Sequence, residues 1–213
     1  MGLNIYLDFN NEAIKHLCNQ DKTLSSLIHR IGPLSYEIHD ENPYKFIIHE
    51  IIEQMLSIKA GNKIFERLML LCKNDITPEA ISTLSDEDIK SIGTSNSKVQ
   101  YIRNITEAVT NNSLNFEELN SMSNDEITKK LTSIKGIGKW TANMYLIFVL
   151  NRPDVLPTTD VAFIQAFKWL YKKESITEKE IKEFCKKWHP YSSIASRYLY
   201  RALDSGLTKE SSL

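Results

Sequence analysis

Apolar residues along most of this chain recur every three to four positions, the spacing of a helix with one buried face. After Pro43, for example, Phe46, Ile47, Ile51, Met55 and Ile58 are apolar residues at this helical spacing. Alternation of apolar and polar residues, which marks a strand, is weak and confined to residues 3–9, where it favours a short strand or an extended arm. The pattern predicts roughly ten helices joined by short turns.

The predicted helices carry recognisable start and stop signals. Asn42 followed by Pro43 is an N-cap residue before a proline at the first helical position. The other start signals are Thr77 with Pro78, Ser85 with Asp88, Ser123 with Glu126, and Thr177 with Glu180. Three glycines, Gly32, Gly93 and Gly206, lie where helices are expected to stop. These signals predict an all-α fold.

Composition limits the class of protein. The chain has 213 residues, 42% of them apolar, which is enough for one large domain or two small lobes. Its three cysteines, Cys18, Cys72 and Cys185, are far apart, which excludes a full disulfide framework and a C-x-x-C metal site. The sequence has neither a signal-like start nor an apolar run of ~18 residues. We expect a cytoplasmic protein that does not bind membranes.

Charge is unevenly distributed along the chain. Residues 1–128 hold 11 Lys/Arg against 19 Asp/Glu, whereas residues 129–213 hold 15 against 8. The net charge of −1 therefore hides a basic second half. Such an excess favours a polyanionic partner, although a solvated basic face would have the same composition.

Two glycines flank an isoleucine between two predicted helices, residues 123–133 and 139–150. Gly136 can adopt a left-handed backbone, Gly138 removes a side chain at the second helix start, and Ile137 can plug the gap between the helices. Main-chain N–H groups at a helix start favour a phosphate, and Lys135 and Lys139 add positive charge. A compact helix–helix corner with no ligand explains the glycines equally well.

Further residues carry a resemblance to a known family. LTSIKGIGKWTA at residues 131–142, followed by RPDVLPTTD at 152–160, resembles the helix-hairpin-helix and Gly/Pro-Asp signature of base-excision DNA glycosylases. More narrowly, it is similar to the DNA-3-methyladenine glycosylase II group. The resemblance covers about residues 30–205, including weaker matches at 46–68 and 93–102. Larger bacterial members carry an extra N-terminal α/β domain that this chain is too short to contain in full.

The resemblance implies a single helix-hairpin-helix glycosylase domain over residues 1–213, with a cleft between two helical lobes. Lobe one lies mainly at residues 30–120, the hairpin motif at 123–150 and the remaining helices at 159–206. Lys135, Gly136, Ile137, Gly138 and Lys139 would contact the DNA backbone. The implied activity is excision of alkylated, 3-methyladenine-type purines from double-stranded DNA by hydrolysis of the N-glycosidic bond.

Asp160 is the expected catalytic residue. By sequence alone it is the N-cap of a helix over residues 161–170. The resemblance places the family's catalytic aspartate at this position. Cleavage of the N-glycosidic bond develops positive charge on the sugar, which an ionised carboxylate stabilises, and a helix N-terminus favours the ionised form.

Two aromatic residues are the expected walls of the base pocket. Trp140 lies two positions after Gly138, where glycosylases that also cut the strand have a lysine. Because an indole cannot form an imine, the reaction should stop at the abasic site, with Lys139 as the remaining nearby amine. Tyr200 matches an aromatic residue of the family's C-terminal helix. Core packing is the alternative interpretation of both side chains.

Opening the duplex requires a side chain that enters the vacated base stack. The segment EQMLS at residues 53–57 matches the family segment that carries it, with Gln54 and Met55 as candidates. The family often has glutamine where this chain has Glu53. Met55 is equally explained as core filler at helical spacing.

No cofactor is expected to be required. The hairpin of this family often binds Na⁺ or K⁺ through main-chain carbonyls, at positions that match Thr132, Ile134 and Ile137. The protein is expected to act as a monomer. A glycosylase for another damaged base and a non-catalytic DNA-binding module remain alternatives, and the preferred lesion is not determined.

Overall fold

A computed structural model describes residues 3–38 and 42–210 of the chain. The chain divides into two compact units. The central unit is Glu41–Tyr145, and the terminal unit combines the described residues of Met1–Asp40 with those of Leu146–Leu213. Residues 123–145 of the hairpin motif therefore belong to the central unit, and Asp160 belongs to the terminal unit.

The terminal unit contains a two-stranded sheet and five helices. Its elements are β1 (Leu3–Leu7), α1 (Glu12–Gln20), α2 (Lys22–Ile31), β2 (Leu34–Ile38), α11 (Val161–Leu170), α12 (Glu178–Cys185) and α13 (Ser192–Asp204), with 3₁₀ turns at Lys186–Trp188 and Leu207–Lys209. Strands β1 and β2 pair antiparallel, with Leu7 opposite Leu34. Of the two alternatives for residues 3–9, a short strand or an extended arm, the structure shows the strand, at Leu3–Leu7. Its partner was missed, although LSYEI alternates apolar and polar residues.

Aromatic and aliphatic side chains of α2, α11 and α13 form the core of the terminal unit. Its fully buried members include Leu24, Leu27, Ile28, Phe163, Phe167, Trp188 and Tyr198. The N-terminal helices thus share one core with helices from the end of the chain. Removing either segment would expose apolar surface of the other.

Asp21 is a buried charge within this unit and is only 3% exposed. Its carboxylate caps α2 through the N–H of Leu24 at 3.0 Å, and accepts the Tyr171 hydroxyl at 2.7 Å and the Trp188 indole N–H at 2.9 Å. The ammonium of Lys187 lies 3.0 Å away. Burial acts to raise the pKa of Asp21, but these donors favour the ionised form more, so its pKa lies below the ordinary value.

The central unit is built from helices alone. They are α3 (Pro43–Glu53), α4 (Ile58–Leu71), α5 (Pro78–Thr83), α6 (Asp86–Ser91), α7 (Asn96–Thr110), α8 (Phe116–Leu119), α9 (Asn124–Thr132) and α10 (Lys139–Met144). A π-helix, Tyr145–Val149, follows α10 directly. Helix α7 packs against α3, α5 and α6, and α3 also packs against α4 and α10.

The predicted helix signals are confirmed. Asn42 and Thr77 cap α3 and α5, each with a proline in the first turn. Reciprocal capping boxes, in which the N-cap and the third helical residue bind each other's main chain, begin α6, α9 and α12. Gly32 ends α2 with a positive φ of 84°.

The described residues form thirteen α-helices and one two-stranded sheet, which confirms the predicted all-α class. None of these helices has the length and apolar character needed to span a lipid bilayer.

Candidate functional site

Helices α9 and α10 form a hairpin closed by main-chain hydrogen bonds. The N–H of Ile134 donates to the carbonyl of Leu131 at 3.1 Å, and the N–H of Ile137 donates to the carbonyl of Ile134 at 3.0 Å. Ile137 is only 4% exposed, which agrees with a plug beneath the turn. Ile127 and Leu131, on the predicted inner face of α9, are fully buried.

The two glycines of the turn are present for different reasons. Gly136 has a φ of +109°, and a Cβ atom there would lie 2.3 Å from Cγ of Tyr101, so both the backbone and the packing require glycine. Gly138 has an extended backbone, and a Cβ atom there would meet no atom of the described chain within 4 Å. Packing within the described chain therefore does not require a glycine at position 138, and the open space there allows close approach of an external molecule.

The hairpin presents positive charge and main-chain donors together. Lys135 and Lys139 are both exposed, one on each side of the turn. Gly138 is the N-cap of α10 and supplies no side-chain acceptor to the first N–H groups of that helix. This arrangement is favourable for an anion such as a phosphate.

Gln54 connects the end of α3 to the hairpin. It is the C-cap residue of α3, and its side-chain amide donates to the carbonyl of Gly136 at 3.0 Å. The same nitrogen lies 3.3 Å from the hydroxyl of Thr141 on α10. The side chain is thus engaged within the central unit rather than extended into solvent.

Met55, the next residue, is by contrast exposed to solvent. Its side chain is fully exposed, with a relative accessibility of 101%, and its backbone adopts a left-handed φ of 60°. Such backbone geometry is unfavourable for a residue other than glycine. The interpretation of Met55 as core filler is therefore wrong, and the residue projects from the loop of residues 54–57.

Trp140 is the second residue of α10 and is half-buried. It follows the exposed Gly138 and Lys139 and precedes Thr141, which is 1% exposed. Trp140 therefore lies where the main chain passes from the surface of the hairpin into the core of the central unit.

Asp160 is the N-cap of α11, as the sequence indicated. Its carboxylate accepts the N–H of Phe163 at 2.6 Å, and its own N–H donates to the carbonyl of Pro157 at 3.0 Å. The residue is 8% exposed and is therefore mostly shielded from water. The geometry fixes the carboxylate at the positive end of a ten-residue helix.

The segment that leads to Asp160 is anchored to the start of α13. The N–H of Ser193 donates to the carbonyl of Pro153 at 3.0 Å, and its hydroxyl accepts the N–H of Val155 at 2.9 Å. The hydroxyl of Ser192 donates to Asp154 at 2.6 Å. Sequence analysis missed these contacts because they join residues 38 to 40 positions apart.

Tyr200 belongs to an aromatic cluster in the terminal unit. Its ring lies 6.1 Å from the ring of Phe148, measured between centroids. The Arg197 guanidinium lies between two rings, 3.9 Å from the centroid of Tyr36 and 4.8 Å from that of Phe148. Of these neighbours only Arg197, three positions before Tyr200 on α13, could have been found from helical spacing.

The expected cation ligands are compatible with an alkali-metal ion. Main-chain carbonyls such as those of Thr132, Ile134 and Ile137 are the neutral oxygen donors that such ions accept. Thr132 ends α9, where carbonyls lack partners within the helix and carry partial negative charge. Among the residues that the structure describes, no group of three or more His, Cys, Asp or Glu side chains is placed to hold a metal ion.

The candidate residues thus lie in two sets. The hairpin, Gln54, Met55 and Trp140 belong to the central unit, in which Gln54 contacts the hairpin directly. Asp160 and Tyr200 belong to the terminal unit.

Comparison with known proteins places this arrangement in a repair family. Residues 48–190 match the HhH-GPD superfamily of base excision DNA repair proteins. Over 195 residues the chain is 33% identical to alkylbase DNA glycosidase-like protein mag2 of Schizosaccharomyces pombe, an alignment that covers 89% of this chain and 92% of that protein.

Solved structures agree with the sequence comparison. A crystal structure of DNA-3-methyladenine glycosidase from Bacillus halodurans matches with a TM-score of 0.84 and 34% identity, covering 98% of this chain and 96% of that one. The 3-methyladenine DNA glycosylase Mag1 of Schizosaccharomyces pombe, in complex with abasic DNA, matches with a TM-score of 0.81 and 29% identity, covering 91% of this chain and 97% of that one.

Proposed function

Because this chain belongs to the HhH-GPD superfamily of base excision DNA repair proteins, we propose that it is a monofunctional DNA glycosylase for alkylated purines. Membership of this family, predicted from residues 131–160, is confirmed. The substrate is double-stranded DNA that contains a 3-methyladenine-type base, and the product is an abasic site.

The placement of Asp160 is the observation that carries this proposal. Its carboxylate is held by the N–H of Phe163 at the start of α11, within the segment that resembles the family signature. When the bond between C1′ and the base breaks, positive charge develops on the sugar, and the ionised carboxylate stabilises it. The base leaves with the electrons of that bond. Water then bonds to C1′ and loses a proton.

The hairpin binds the DNA backbone. Gly138 leaves space for a phosphodiester close to the main chain, and the first N–H groups of α10 donate toward it. Lys135 and Lys139 attract the DNA backbone electrostatically. A Na⁺ or K⁺ ion, held by the carbonyls of Thr132, Ile134 and Ile137, would add positive charge beside that phosphate. No other cofactor is needed for hydrolysis.

Met55 opens the duplex. A fully exposed, flexible apolar side chain on a projecting loop suits insertion into the gap left by a flipped nucleotide. Gln54, whose amide is bound to Gly136, supports the loop instead of entering the stack.

Trp140 and Tyr200 are each proposed, from the family resemblance, to contact the flipped base. Electron-rich rings attract an alkylated purine, which carries positive charge and leaves readily without strong protonation. Because position 140 has no amine, the reaction ends at the abasic site.

The enzyme acts as a monomer in a reducing compartment such as the cytoplasm. The free thiols of Cys18, Cys72 and Cys185 support a reducing environment.

A panel of defined lesions tests the proposal. Duplexes that each carry one 7-methylguanine, hypoxanthine, ethenoadenine, 8-oxoguanine or uracil are incubated with the protein and cleaved with alkali at abasic sites. We expect release of the alkylated bases 7-methylguanine or ethenoadenine, and none from Asp160→Asn. Release of only hypoxanthine, 8-oxoguanine or uracil would indicate a glycosylase for another lesion. Binding without release of any base would indicate a non-catalytic module.

A further inference from the structure

Helix α7 begins differently from three other helices of this chain. Helices α6, α9 and α12 each place a carboxylate at the third helical position, where it accepts the N–H of the N-cap residue. Helix α7 has Ser95 at its N-cap but Lys98 at the third position. A cation in the first turn opposes the helix dipole, so Lys98 is unfavourable for α7 itself.

Lys98 is instead well placed for the end of α3. Its ammonium donates to the carbonyl of Ile52 at 2.7 Å and to that of Gln54 at 2.6 Å. These carbonyls lie at a helix C-terminus, which has partial negative charge and lacks intrahelical donors. Burial lowers the pKa of Lys98, which indicates a partly desolvated site where charge-assisted hydrogen bonds are strong.

The backbone that Lys98 holds leads directly into Met55. A left-handed methionine persists only where its surroundings determine the conformation. Lys98 binds the main-chain carbonyl of Gln54, and the Gln54 side chain binds the carbonyl of Gly136. The residue before Met55 is therefore fixed through both its main chain and its side chain.

The same side of α7 also contacts the hairpin. Tyr101, three residues after Lys98, packs so closely on Gly136 that no Cβ atom fits between them. The side-chain amide of Asn104, three residues further, donates to the carbonyl of Lys135 at 2.9 Å. One row of α7 thus holds the loop of residues 54–57 and the hairpin together.

We propose that Lys98 is a positioning residue for opening the duplex: its bonds to Ile52 and Gln54 hold Met55 in the conformation that directs its side chain into the base stack. This inference rests on the proposed function, because it requires Met55 to enter DNA. Lys98 itself contacts neither the base nor the reacting bond.

Amide hydrogen exchange tests whether Lys98 holds the loop, without any DNA. We expect Lys98→Met to increase exchange at residues 53–57 while the interiors of α3 and α7 keep their protection. Lys90→Met, which removes an exposed lysine from α6, is the matched control. Unchanged exchange at residues 53–57 would overturn the inference. If Lys98→Met does not fold, Lys98→Gln serves for the same comparison.

Binding to a duplex with a tetrahydrofuran abasic-site analogue and a flanking 2-aminopurine tests the consequence. We expect Lys98→Met to weaken binding by about tenfold and to reduce the fluorescence rise from unstacking, whereas Lys98→Arg retains most of both. In a Met55→Ala background, Lys98→Met should cause no further loss. Additive losses, or an equal loss in Lys90→Met, would refute a role through Met55.

The two experiments separate failure of this inference from failure of the proposed function. A wild-type protein that neither excises a lesion nor binds the abasic duplex would overturn the proposed function and the role of Lys98 in DNA opening. The exchange experiment would still decide whether Lys98 holds the loop.

Discussion

The side-chain amide of Gln54 donates to the main-chain carbonyl of Gly136 at 3.0 Å, although the two residues are 82 positions apart in the sequence. The bond joins the loop that presents Met55 to the turn that we propose binds DNA. Both elements belong to the central unit. In the proposed function, binding of the DNA backbone and opening of the base stack therefore depend on the same compact unit.

The two glycines of the hairpin predict opposite effects of alanine. Gly136→Ala should lower the free energy of unfolding by about 2 kcal/mol, because it combines a left-handed backbone with a clash against Tyr101. Gly138→Ala should lower stability by no more than about 1 kcal/mol, the cost of alanine at an N-cap, yet weaken DNA binding, because its methyl group would occupy the space of the phosphate. Urea unfolding and titration with an abasic-site duplex measure both effects. Normal DNA affinity in Gly138→Ala would contradict the proposed contact.

Met55 should show a conflict between stability and activity. Glycine accepts a φ of 60° without strain, so Met55→Gly should melt about 3 °C above Met55→Ala. Both variants should excise lesions from a duplex much more slowly, because both lack the inserted side chain. Thermal melting and single-turnover kinetics provide the test. Wild-type rates in both variants would exclude Met55 as the wedge.

Asp21 should make the terminal unit sensitive to acid. Its folded pKa is lowered, so its stabilising contribution is complete above the ordinary value of 3.8 and is lost as pH falls toward the folded value. At neutral pH, Asp21→Asn should cost about 1–3 kcal/mol, because the buried donors would lose their charged acceptor. The difference in free energy of unfolding between Asp21→Asn and the wild type should narrow below pH 3.8. Urea unfolding across pH, with the exposed Asp204→Asn as control, measures this dependence.

Trp140 predicts that no covalent intermediate forms. Borohydride added during turnover should trap no protein–DNA adduct, because reduction captures only an imine between an amine and the sugar. Trp140→Lys, which introduces an amine at that position, is the positive control. An adduct formed by the wild type and lost in Lys139→Ala would identify Lys139 as a nucleophile and contradict a monofunctional enzyme.

Asp160→Asn should separate capping from catalysis. Asparagine caps a helix about as well as aspartate, so the unfolding free energy should change by less than about 1 kcal/mol. Base release should be lost, because a neutral amide does not stabilise a sugar cation. Circular dichroism melting and a glycosylase assay report the two properties independently. Release at the wild-type rate would exclude Asp160 as the catalytic carboxylate.

Interactions between neighbouring residues explain which features the sequence predicts correctly. Caps such as Ser123 with Glu126 act within one helical turn, so neighbouring residues alone specify where α9 begins. The same holds for Asp160, whose cap to Phe163 spans three residues. Strand β2 was missed because a strand is stabilised by its partner, β1, which lies far from it in sequence.

Neighbouring residues do not predict the role of a side chain that points away from its own helix. Helical spacing made Met55 equally suitable for the core, and only the end of α3 at Glu53 left it in solvent. Lys98 gave no signal of its target, because its partners are 44 and 46 residues earlier in the chain.

By itself the sequence determined the helical class, the capped starts of several helices, the glycine turn and the family, since each depends on residues within a few positions of one another. The tertiary structure alone decided which of the two wedge candidates is exposed. It also decided that packing against Tyr101 requires a glycine at position 136 but not at 138, and that α7 contacts both the hairpin and the loop of residues 54–57. Those outcomes depend on contacts between distant segments, whose pairing is set by the packing of the whole unit and not by local preference.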